Sequence, residues 1–89
     1  MARLAFTSHL RAVGPTGSVR YEGATLSEAL KAAGADYPQL LPYILDDQGR
    51  VRKHIAVFVD GAMVPREAAL SMPLSPESEV YVLQALSGG

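Results

Sequence analysis

Polar and apolar residues alternate along several stretches of this chain, and that alternation sets the first expectations. From Arg3 to His9, Leu4 and Phe6 fall between Arg3, Ala5 and Thr7, the period-two pattern of a strand with one buried face. Gly14-Pro15-Thr16-Gly17 is dense in turn residues, and Ser18 to Glu22 alternates again, so the two strands are expected to form an antiparallel hairpin. The period then changes. Leu26, Ala29, Leu30 and Ala33 are spaced i, i+3, i+4, i+7, which makes one apolar stripe of a helix.

Thr25-Leu26-Ser27-Glu28 reads as the capping box that starts this helix, with the Thr25 hydroxyl accepting from the Glu28 amide and the Glu28 carboxylate reaching back to the Thr25 amide. Gly34 suits the left-handed position that ends a helix. Leu40, Leu41, Ile44 and Leu45 keep helical spacing around Pro42 and predict a short second helix or 3-10 turn. Asp46 to Arg50 is a polar turn. Ile55, Val57 and Val59 then alternate with His54, Ala56, Phe58 and Asp60 as a third strand, expected to be central.

Asp60-Gly61 is a two-residue hairpin signal leading to a short strand at Ala62 to Val64, which Pro65 confines to an edge. Residues 70–78 carry Pro73 and Pro76 and are expected to cross an edge of the sheet as a loop. A last strand runs from Glu79 to about Leu86 and gives way to Ser87, Gly88 and Gly89. The order is a hairpin, a helix and further strands without an internal repeat, the signature of a two-layer α+β fold. Residues 1–89 are accordingly expected to form one domain with a flexible tail over about 86–89.

Composition narrows the function. Eighty-nine residues at 48% apolar and 19% charged describe an ordinary globular chain that buries somewhat over 60% of its unfolded surface. That supports one modest core with little room for an internal active site. The net charge of −1 provides no global basic field to collect nucleic acid or anionic membrane. The sequence has no apolar run of the length a signal peptide or spanning helix needs, so the expected setting is the cytoplasm. Cysteine is absent, which removes disulfides, thiolate ligands and a cysteine nucleophile.

The remaining candidates for chemistry are weak. Ser8-His9 has no third partner for nucleophilic catalysis, and His54 is far in sequence from the other histidine, so neither a triad nor a metal site is expected. Asp46, Asp47 and Gly49 echo a calcium loop, but its twelfth position is Val57 where a glutamate is needed. Arg50, Arg52 and Lys53 form a small basic cluster, ordinarily a solvated face and otherwise a contact for acidic residues of a partner. If Val80 and Val82 face the helix, Tyr81 and Leu83 face outward, and with Phe58 and Leu86 they would make an apolar docking patch. The tail is the remaining feature, because glycine leaves a backbone thin enough to enter a narrow channel.

Taken in order, Leu10-Arg11, Gly23 to Leu30, Val57 to Gly61, and Glu79-Val80 through Gly88-Gly89 give the chain its family likeness. Over essentially its whole length the sequence resembles the MoaD/ThiS family of ubiquitin-like β-grasp sulfur carriers. This family includes the small subunit of molybdopterin synthase and the carrier of thiamine biosynthesis. The resemblance implies a mixed sheet of four to five strands packed on one main helix, with the first and last strands parallel neighbours at its centre.

It also implies that an E1-like enzyme uses ATP to adenylate the Gly89 carboxylate, and that a persulfide donor converts the adenylate to a thiocarboxylate. A sulfur-accepting synthase would then draw on it for molybdopterin, thiamine, cysteine or tRNA thiolation. Gly89 is the implied reacting residue and Ser87 and Gly88 the threaded segment. The chain would bind no cofactor and would be a substrate rather than an enzyme. Two other readings use the same residues: a ubiquitin-like modifier joined to lysines through Gly89, and an interaction domain with an inert tail.

Overall fold

The computed structural model describes residues 1–84, the side chains of Ser8 and His9 excepted. Five strands, β1 (Ala2–Phe6), β2 (Val19–Tyr21), β3 (Ile55–Val59), β4 (Ala62–Val64) and β5 (Glu79–Gln84), form one sheet in the order β2-β1-β5-β3-β4. β1 and β2 pair antiparallel as their turn residues predict, and β1 lies parallel to β5. β5 is therefore the middle strand. β3, expected to be central, is an interior strand that runs antiparallel to β5 on one side and to β4 on the other.

One face of the sheet is the core layer. Ala2, Leu4 and Phe6 of β1, Ile55, Val57 and Val59 of β3, Val64 of β4, and Val80 and Val82 of β5 are all buried. The main helix α1 (Leu26–Asp36) contributes Leu26, Ala29, Leu30 and Ala33 to the same core, the four positions of its predicted stripe. A short helix α2 (Leu40–Ile44) adds Leu40 and Ile44. Pro42 is its third residue, where the missing amide proton would have had no intrahelical acceptor.

The start of α1 is held twice. The Glu28 amide donates to Thr25 Oγ1 at 3.4 Å, and the Glu28 carboxylate accepts from the Ala24 amide at 2.9 Å, one residue before the Thr25 amide that the capping box predicted. The next amides, Leu26 and Ser27, donate to the carbonyls of Met72 and Leu70. Residues 70–78 thus run against the beginning of α1 and satisfy donors that a helix end otherwise leaves to water. Replacing Thr25 with alanine removes one long, exposed bond, so a loss of about 0.5–1 kcal/mol is expected in a urea melt; no change would mean that the 70–78 contacts alone hold the helix start.

Three element boundaries differ from expectation. β1 stops at Phe6 rather than His9, and Ser8–Ala12 form a 3-10 turn that places Leu10 in the core at 0% exposure. Strict alternation would have set Leu10 on the same face as Phe6 further along an edge, and the turn brings it back over the sheet. α1 continues through Gly34 to Asp36, and Gly34 keeps a negative φ. A Cβ there would lie 2.8 Å from Leu41 Cδ1, so this glycine permits α1 and α2 to approach and does not end the helix. A one-turn helix α3 (Arg66–Ala69) was not expected, and it buries Ala69.

The Asp60-Gly61 hairpin forms as its sequence predicts. Both residues have positive φ, 52° and 86°, the requirement of a two-residue turn whose twist matches its strands. Asp60 also clamps the turn to β5: its amide donates to the Glu79 carbonyl at 2.8 Å, and its Oδ1 accepts from the Glu79 amide at 2.9 Å. Tyr21 ties β2 to the end of α1 by donating to Asp36 Oδ2 at 2.7 Å. Burial, reinforced by that carboxylate, pushes the Tyr21 phenol up to about 12. It remains neutral at physiological pH.

Candidate functional site

The middle strand positions the candidate site. β5 is bonded along both edges, to β1 through Arg3 to Phe6 and to β3 through Ile55 to Val59. The chain beyond Gln84 is therefore launched from the best-supported strand of the sheet. Leu86, Ser87, Gly88 and Gly89, the docking and tail residues predicted at this end, lie outside the described residues.

The face of the sheet turned away from α1 brings the other three predicted residues together. Val80 and Val82 are buried at 1% and 0%, which forces Tyr81 and Leu83 outward by alternation; Tyr81 is 51% exposed. Phe58 stands directly opposite Tyr81 across the β3–β5 pair, and Ala5 of β1 flanks Tyr81 on its other side. Phe58 and Leu83 are half-buried. With Asp60, Gly61 and Glu79, these three apolar side chains line a shallow cleft of about 300 Å³.

Sequence reasoning omitted Met63, which is 66% exposed and sits opposite Phe58 on β4. The signal was present, since a two-residue turn at Asp60-Gly61 places Val59 against Ala62 and so Phe58 against Met63. The outward face is thus an apolar row from Ala5 through Tyr81 and Phe58 to Met63. Arg3 and Glu79 pair at 3.9 Å beside it.

The other candidates fall away from this face. Asp46 closes its own turn: Oδ1 accepts from the Gln48 and Arg50 amides at 2.9 Å each, and Gly49 takes a φ of 78°. Those bonds, the Arg50 amide first, hold the Asp46 carboxyl below the usual carboxylate range. Its oxygens are engaged by the turn. Among the described residues no group of three or more His, Cys, Asp or Glu side chains is placed to hold a metal ion. His54 is exposed, and no described helix is long and apolar enough to cross a membrane. A cavity of about 610 Å³ is an open hollow between Met1, Glu22 and Pro76 beside the start of α1, at the end of the sheet far from Gln84. Its Glu28 carboxylate is already committed to the helix cap.

No curated protein sequence matches the chain. Among solved structures, CysO in the BexX/CysO complex of Amycolatopsis orientalis superposes with a TM-score of 0.87 at 20% identity, covering 100% of both chains. Mycobacterium tuberculosis CysO gives 0.85 at 20% identity over 97% of this chain and 100% of the other. SAMP1 from Haloferax volcanii gives 0.82 at 24% identity over 99% and 98%. At these identities the likeness establishes the β-grasp, ubiquitin-like fold. The family assignment comes from the sequence model of the ThiS family, which matches residues 11–89, and the chain belongs to that family.

Proposed function

We propose that this chain is a ubiquitin-like sulfur carrier whose reacting group is the carboxylate of Gly89. The observation that carries the reading is the family match extending through residue 89, on a fold whose middle strand is β5, the last strand before that terminus in the sequence. An E1-like enzyme docks on the outward face through Phe58, Tyr81, Leu83 and the newly placed Met63. It threads the tail, where the small residues admit the backbone to a narrow channel.

A carboxylate is a poor electrophile, and adenylation corrects this. One Gly89 oxygen attacks the α-phosphorus of ATP and pyrophosphate leaves. The terminal sulfur of a persulfide donor then attacks the acyl carbon and expels AMP. A partner thiol cleaves the resulting acyl–S–S bond at the donor sulfur, which frees the thiocarboxylate and leaves a disulfide between the two thiols. The sulfur nucleophile so made belongs to a chain with no cysteine of its own. ATP and all catalytic groups belong to the partners in this scheme, which makes the chain a substrate. The sulfur acceptor would be a synthase of molybdopterin, thiamine, cysteine or tRNA thiolation, in a cytoplasmic setting.

A second reading is favoured by the structural neighbour described as a small archaeal modifier protein, at a TM-score of 0.80 and 22% identity. In this reading the same adenylate of Gly89 would pass its acyl group to lysine amines. The two readings separate by the products formed once the chain is activated with ATP and a persulfide donor. A carrier stays a free chain of altered mass, whereas a modifier yields a ladder of larger lysine-linked products on a denaturing gel. A ladder without free altered chain would overturn the carrier reading.

A further inference from the structure

The cations of this chain are unevenly placed along the sheet. β5 starts among carboxylates, with Glu77, Glu79 and Asp60 near its first residue. It ends opposite Ile55, immediately after Arg52, Lys53 and His54. Arg66 joins them there, since Lys53 and Arg66 flank a cavity of about 320 Å³ floored by Ile55, Ala56, Met63, Val64 and Pro65. Arg50 and Arg66 share a second, smaller hollow with Glu67.

Three of these cations are ready for a ligand. The ion pairs among the described residues are Arg3–Glu79 and Arg50–Asp46, which leaves Arg52, Lys53 and Arg66 without a carboxylate there. Both arginines are nevertheless held in place. Arg66 Nη1 donates to the Val51 carbonyl at 2.9 Å, and Arg52 Nε donates to the Pro42 carbonyl at 3.1 Å. Each retains further N–H donors for a carboxylate, and a guanidinium already oriented loses less freedom on binding one. Beside them β4 is an outer strand of the sheet, and its backbone makes no described hydrogen bond beyond its ladder with β3.

We propose that the Lys53–Arg66 groove receives an extended acidic segment of a partner protein, with an aliphatic side chain in the apolar floor and carboxylates on Lys53 and Arg66. An open strand edge supplies backbone pairing for such a segment. Ala56 on the groove floor is directly opposite Leu83 of β5, so the floor adjoins the strand that carries the tail, and a segment paired to the open edge of β4 would be separated from β5 by β4 and β3. That the partner is the enzyme activating Gly89 rests on the proposed function; the binding chemistry of the groove does not.

The test uses the full chain, labelled with ¹⁵N and titrated with an acidic hexapeptide bearing two central aliphatic residues. Saturable amide shifts confined to residues 53–56, Met63, Val64 and Arg66 are expected. The double substitution Lys53→Glu and Arg66→Glu should weaken binding on the order of tenfold, while Arg20→Glu with Lys31→Glu, an equal change of net charge at two exposed cations away from the groove, should leave it unchanged. Melting curves confirm that the variants fold. The proposal is overturned if the shifts do not saturate, if Arg20→Glu with Lys31→Glu weakens binding equally, or if a thymidine oligonucleotide shifts the same amides at lower concentration. None of these outcomes depends on whether Gly89 carries sulfur.

Discussion

Replacing Gly88 with valine lowers ATP–pyrophosphate exchange by an activating enzyme about 100-fold, with an unchanged melting curve. The size comes from geometry. Misplacing a reacting group by on the order of 1 Å costs roughly two decades of rate, and a β-branched side chain in a channel that admits bare backbone displaces the adjoining carboxylate by at least that much. The melting curve is expected to hold because the substituted position lies six residues beyond Val82, the last buried residue among those described. The five residues from Ala85 to Gly89 reach at most about 17 Å beyond the strand. An enzyme docked on the outward face must therefore place its nucleotide close to the end of β5. Exchange that survives the valine would remove the threading argument.

Phe6→Ala is expected to produce the opposite pattern, a large loss of stability. Phe6 is 2% exposed, pairs in register with Val82 of the middle strand, and is among the largest side chains in the core. Truncating a buried phenylalanine costs about 3–5 kcal/mol through lost transfer energy and the cavity left behind. A domain of this size has about 5–15 kcal/mol in total, and each kcal/mol moves its midpoint by about 4–8 °C. A fall of about 12–40 °C in calorimetry is therefore expected. The fraction that remains folded should still be adenylated, since Phe6 faces the core and not the docking face. A shift of only a few degrees would mean that the 3-10 turn after Phe6 collapses into the vacated space.

Patterns confined to a few neighbouring residues were legible in the sequence, and contacts between distant segments were not. The stripe of Leu26, Ala29, Leu30 and Ala33 is buried as its spacing required, and Asp60-Gly61 makes the hairpin its dihedral preferences required. The outward position of Tyr81 came from alternation alone. Gly34 misled because its role depends on Leu41, a residue on the next helix. Glu28 reached one residue beyond the expected amide, a difference a capping pattern does not encode. The segment 70–78 reads as a loop because its carbonyls answer donors on α1 more than forty residues earlier. Parallel pairing of β1 with β5 came from family resemblance and is what the sheet shows.

The same division holds for the candidate site. Phe58, Tyr81 and Leu83 were found because a strand's two faces are set by its own sequence, and Met63 was missed although the turn fixed its place. Arg66 was not linked to Lys53, because twelve residues and a hairpin separate them in the chain before the fold brings them to one cavity.

The most direct test of the central claim is the intact mass of the chain after coexpression with an E1-like activating enzyme and a persulfide donor. Exchange of one oxygen for sulfur at the Gly89 carboxylate adds about 16 Da. That increment is expected on the full chain, should be discharged by a sulfur-accepting synthase, and should be absent from a chain lacking Gly89. An unchanged mass while the enzyme consumes ATP in the presence of the chain, or the same increment on the shortened chain, would contradict the account.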